Sequence, residues 1–152
     1  MSKDRELEEI KQRMLERIMK PPSKSNILQD GVVNILIDAN FDQAVASATL
    51  PLLVDFWADW CMPCKSMTPV VEAMARDHSG RAYFAKINTD QNRATQARFK
   101  VMSIPNFIIF KDGKQVDQVL GAVGRPGLET VLSRHTSKKN IIRAHDSRLI
   151  ED

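Results

Sequence analysis

The chain predicts an α/β domain, a mixed β-sheet covered by helices on both faces, with an extra amphipathic helix at its N-terminal end. Three observations carry that prediction. From Gly31 onward strand patterns alternate with helical ones; Leu50 to Trp57 is almost continuously apolar, as a strand buried on both faces must be; and two late strands flank a Gly-containing turn. Parallel strands need crossover helices, whereas the terminal hairpin pairs antiparallel, so the sheet is expected to be mixed.

In chain order, residues 5–20 place Leu7, Ile10, Met14 and Ile18 at steps of three and four among many charges, with Leu15 and Met19 beside them. This is an amphipathic helix pattern, and Pro21-Pro22-Ser23-Lys24-Ser25-Asn26 stops it as a linker. Val32 to Ile37 reads as a strand. Asn40-Phe41-Asp42-Gln43 has the form of a capping box opening a short helix to about Ser47. After the apolar strand, a helix from Cys61 to about His78 carries Met67, Val70, Val71, Met74 and Ala75 on one face, with a kink expected at Pro69. Ala82 to Asn88 reads as a strand and Asn92 to Phe99 as a short helix. Asn106 to Phe110 and Gln115 to Val119 form a hairpin joined by Lys111-Asp112-Gly113-Lys114, with Gly113 where positive φ is needed. A final helix is expected from Pro126 to about His135. The expected organisation is a helical extension and linker over 1–30, an α/β domain over 31–136, and a tail over 137–152.

At 152 residues there is room for one complete core. The net charge of +3 is small, and residues 31–133 carry ten basic and ten acidic groups. That balance argues against a nucleic-acid surface there, and the basic tail is read as a solvated end. Eleven of the first twenty residues are charged and no apolar run is long enough to span a bilayer, so no secretory or membrane segment is expected. A cytoplasmic setting, in which thiols are kept reduced or cycled, is expected.

Both cysteines of the chain lie in Trp60-Cys61-Met62-Pro63-Cys64-Lys65. A bond between them closes a loop worth only about 2 kcal/mol by chain entropy, too little to act as a staple. Side chains at i and i+3 of a helix are nevertheless neighbours, so the bond forms and breaks readily. At a helix start the unpaired N–H groups and the macrodipole favour an anion, and such settings lower a thiol pKa. Cys61 is therefore the expected nucleophile and Cys64 the resolving thiol. Structural zinc is disfavoured, because His78, His135 and His145 are scattered and no second cysteine pair exists. No metal and no bound cofactor are expected; attached haem would need a His where Lys65 stands.

Asp55 falls inside the apolar strand, where burial would raise its pKa and let it exchange a proton near neutrality. An Asp at an exposed strand end is the other reading. Lys86, on the neighbouring strand, is either its charge partner or an ordinary surface lysine. Ile104-Pro105 precedes the hairpin, where sequence chemistry alone does not require a cis bond.

Val54-Asp55-Phe56-Trp57-Ala58-Asp59-Trp60-Cys61-Met62-Pro63-Cys64-Lys65, then Ala85-Lys86-Ile87-Asn88-Thr89-Asp90, Ile104-Pro105, Phe110-Lys111-Asp112-Gly113 and Gly121-Ala122, resemble the thioredoxin family in order and spacing over roughly residues 30–135. The resemblance implies a thioredoxin fold and a protein-disulfide reductase with Cys61 attacking and Cys64 resolving. It implies that Asp55, aided by Lys86, moves the proton of Cys64, and that Pro105 is cis against the dithiol. It further implies that Trp60, Ile104, Pro105 and Ala122, with Met62 and Pro63, form an apolar surface for disulfide-containing target proteins. The electron donor it implies is a thioredoxin reductase. Met62 stands where the family commonly has Gly and Asn106 where Thr is common, which leaves open an oxidant or isomerase on the same scaffold. A partner-binding role, or self-association through residues 5–20, is the expectation from outside the catalytic class.

Overall fold

The computed structural model of the chain describes residues 2–19 and 27–136, with side chains described over 4–14 and 27–136. The linker expected at 21–26, the side chains of Leu15, Ile18 and Met19, and the tail 137–152 lie outside the described residues. Five strands, β1 (Val33–Leu36), β2 (Leu52–Trp57), β3 (Tyr83–Asn88), β4 (Asn106–Lys111) and β5 (Lys114–Leu120), form one sheet in the order β1-β3-β2-β4-β5. β3 runs parallel to both β1 and β2, while β4 pairs antiparallel with β2 and β5 with β4. The helices are α1 (Ser2–Met19), α2 (Phe41–Ser47), α3 (Met62–Asp77), α4 (Arg93–Arg98) and α5 (Gly124–Ser133).

β2 is the middle strand, and its period of two sends alternate residues to opposite faces. Leu52, Val54 and Phe56 face a core built with Phe41 of α2, Ile108 and Phe110, in which Phe41 meets Phe110 edge-on at 5.5 Å between ring centroids. Leu53 faces the other core, made with Met67, Val71 and Met74 of α3 and Leu128, Val131 and Leu132 of α5. Asp55, two residues after Leu53, is thereby sent to the face that α3 covers.

Three local expectations are corrected. Asn40 is the N-cap of α2 but makes no capping bond to it; its Oδ1 instead accepts from the Ile37 N–H at 2.8 Å, so the side chain closes the preceding turn. The hairpin is tighter than expected: each strand extends one residue farther into the turn, and Asp112 (φ +53) and Gly113 (φ +78) alone make a two-residue loop of the kind that matches strand twist. The last helix begins at Gly124, two residues before Pro126, since proline is well accommodated in a first turn where its missing N–H has no partner to lose. α3 is one continuous helix across Pro69, an exposed position at which the ladder lacks one donor. α1 carries Leu7, Ile10 and Met14 exposed to solvent. No helix among the described residues is long and apolar enough to cross a membrane.

Candidate active site: a dithiol at a helix N-terminus

β2 ends at Trp57, and a tight turn in which the Cys61 N–H donates to the Ala58 carbonyl at 3.1 Å delivers the chain to α3. Cys61 is the N-cap, with extended backbone (φ −89°, ψ 103°), and its Sγ accepts from the backbone N–H of Cys64 at 3.2 Å. This is where a capping serine would put its oxygen, here occupied by sulfur. Pro63 sits in the first turn, where no donor is lost. Cys61 and Cys64 are joined in a disulfide with their Cα atoms 5.2 Å apart. Both residues are buried, so position rather than exposure distinguishes them: one caps the helix and the other lies inside its first turn. Ala58 packs with the pair, and Trp57 and Ile104 pack against it.

Asp55 lies beneath α3 and is only 3% exposed. Its Oδ1 is buried with no hydrogen-bond partner. Burial raises its pKa to about 7, the positive charge of Lys86 pulling more weakly the other way. Lys86 is Asp55's register partner on β3, yet its Nζ stands over the Trp57 ring, 5.0 Å from the centroid. Asp55, Lys86, Thr68, Glu72, Val71 and Val33 line a cavity of ≈ 10 Å³, about enough for one water.

Ile104-Pro105 is a cis peptide, and the Pro105 carbonyl accepts from the Gly121 N–H at 2.8 Å, tying the start of β4 to the end of β5. Ile104 touches the disulfide cluster, whereas Ala122 and Pro63 are exposed. Trp60 is 68% exposed and its indole N–H donates to Asp90 Oδ2 at 2.9 Å. Met62, at the first position of α3, is 71% exposed. Among the described residues, no cluster of His, Cys, Asp or Glu is placed to hold a metal ion.

Sequence reasoning missed Thr68 and Glu72, although both lie at helical spacing from Cys64 (i+4 and i+8), the signal that would have placed them on its side of α3. It also missed Asp90, whose link to Trp60 spans thirty residues.

A cysteine pair with one sulfur at a helix N-cap, set at the end of a central strand that carries a buried acid, defines a thiol-disulfide oxidoreductase working by dithiol exchange. Residues 32–134 match the family model described as Thioredoxin. The chain is 48% identical over 98 residues to thioredoxin of Staphylococcus haemolyticus, covering 64% of this chain and 92% of that protein. It is 45% identical over 105 residues to thioredoxin of Porphyra purpurea (69% and 98%), and 42% identical over 104 residues to thioredoxin 1 of Synechococcus elongatus (68% and 97%). The chain belongs to the thioredoxin family, and within it is a protein-disulfide reductase whose redox pair is Cys61 and Cys64.

Proposed function

We propose that the protein reduces disulfides in other proteins with Cys61 as nucleophile and Cys64 as resolving thiol. The observation that carries this assignment is the hydrogen bond from the Cys64 N–H to the Cys61 sulfur, which stabilises negative charge on Cys61 once the pair is reduced. The Cys61 thiolate attacks one sulfur of the target; the target S–S bond breaks and its other sulfur leaves as a thiolate that takes a proton from water. Cys64 then yields its proton to the Asp55 carboxylate and attacks Cys61 Sγ. The mixed disulfide breaks, the second target sulfur leaves, and two electrons have passed to the target. The chain is left as the Cys61–Cys64 disulfide, the state present in the structure.

In this reading Asp55 exchanges its proton through the water-sized space it shares with Thr68 and Glu72, and Lys86 tunes it electrostatically from the adjacent strand. Trp60, Met62, Pro63, Ile104, Pro105 and Ala122 receive the target chain. No metal or resident cofactor takes part, and electrons return from a thioredoxin reductase. Residues 31–136 are the catalytic unit, while 137–152 is a tail. Residues 1–30 are an appendage whose amphipathic sequence over 5–20 serves self-association. The cytoplasm is the compartment that suits a dithiol that must be re-reduced after every turnover.

Substituting Cys64→Ser is expected to accumulate mixed disulfides between Cys61 and target proteins, seen as thiol-sensitive adducts on gels, whereas Cys61→Ser accumulates none. Adducts formed equally by both variants would reverse or abolish the assignment.

A further inference from the structure

Among the described residues, Met102 is the most exposed of the large apolar side chains, at 93%. Its position is fixed from both sides. Lys100, at φ +53, turns the chain out of α4. Val101 is buried, its N–H donates to the Gln96 carbonyl at 3.0 Å, and its own carbonyl accepts from Gln96 Nε2 at 3.2 Å. Two residues beyond Met102, Ile104 packs against the disulfide and enters the cis peptide. Two peptide units span at most ~7 Å, so the Met102 backbone stays within that distance of Ile104, which touches the disulfide, and its unbranched thioether is almost fully exposed. Trp60 and Met62, on the other chain segment bordering the pair, are exposed as well. Single exposed apolar residues need no explanation, but apolar residues on both segments that border a reactive pair mark a binding surface.

We propose that Met102 is a specificity-determining residue: it contacts an apolar side chain flanking the reacting cysteine in an extended segment of the target protein. The occupant follows from continuity with the exchange site, because a target sulfur in line with Cys61 places the residues beside that sulfur over the rim that Met102 occupies. The proposal rests on the assignment of Cys61 and Cys64 as the exchanging pair. Met102 thus selects for disulfides set in apolar surroundings and leaves the chemistry at the sulfurs unchanged.

The test uses two peptides, each with one intramolecular disulfide, identical except that the residues beside both cysteines are leucine in one and glutamine in the other. Reduction is followed as kcat/KM for the full-length protein. The parent protein is expected to favour the leucine peptide by about 5-fold to 10-fold, of the order one added apolar contact confers. Met102→Gln should bring the ratio close to one, and Met102→Leu should keep it, a rescue that a merely structural loop residue would not give. A parent ratio near one, or a ratio unchanged in Met102→Gln, overturns the proposal while leaving the exchange assignment standing. Reduction of neither peptide by the parent overturns the exchange assignment and the proposal together.

Discussion

Asp55 is an acid held where its charge is unwelcome, and that makes it the most informative single residue for pH dependence. Its pKa is about 7 in the fold against an ordinary 3.8, so the native state keeps a proton that the unfolded chain has already released. The contribution to stability is therefore full below about pH 4, declines as pH rises, and is flat above about pH 7. The span of roughly 3 units (7 − 3.8) corresponds to as much as about 4 kcal/mol. Asp55→Asn should remove that decline in the oxidised protein, giving a variant more stable than the parent at about pH 8 and similar to it at about pH 4 in urea unfolding. The same substitution should prolong the mixed disulfide near neutral pH, since Cys64 loses its proton acceptor; an unaltered lifetime from about pH 6 to about pH 9 removes Asp55 from the resolving step. The position of Asp55 within an apolar strand was legible in the chain. Its orphaned oxygen and its cavity with Thr68 and Glu72 were not, because they depend on which helix covers β2.

At the scale of elements, α3 and α5 meet on one face of the sheet and their ends are linked by polar contacts. His78 Nε2 lies 2.6 Å from Glu129 Oε1, and Arg125 reaches both Asp77 at 2.8 Å and Glu129 at 3.1 Å. Gly127 lies in the first turns of α5, where a Cβ would stand 2.6 Å from Val123 Cβ. Replacing glycine by alanine inside a helix ordinarily stabilises by about 1 kcal/mol, but overpacking costs about 1–3 kcal/mol. Gly127→Ala is expected to lower stability by about 1 kcal/mol, against the helix-propensity trend; a variant more stable than the parent in urea unfolding would show that Val123 yields freely. Element types were readable from periodicity, yet their ends were not. Asn40 fits a capping box by its spacing, and sequence does not reveal that its side chain instead accepts from the Ile37 N–H.

For the whole molecule, both cores are closed by β2, α2, α3 and α5 with residues from 28 to 132, and none of the described α1 side chains, 4–14, belongs to them. Deleting residues 1–25 is accordingly expected to leave disulfide reduction within about 2-fold of the parent, with size-exclusion chromatography reporting any self-association lost with the helix. A collapse of reductase activity would tie α1 to catalysis. The chain by itself determined the α/β class, the strand buried on both faces, the redox pair and its place at a helix start, since each depends on periodicity or on spacing within one turn. Only the tertiary structure decided that Lys86 stands over Trp57 rather than on Asp55, that Asp90 anchors Trp60, and that Met102 is left bare two residues before Ile104, which touches the disulfide. Those relations join residues far apart in the chain or depend on which surfaces the packed elements leave uncovered, and no local pattern of apolar and polar residues encodes either.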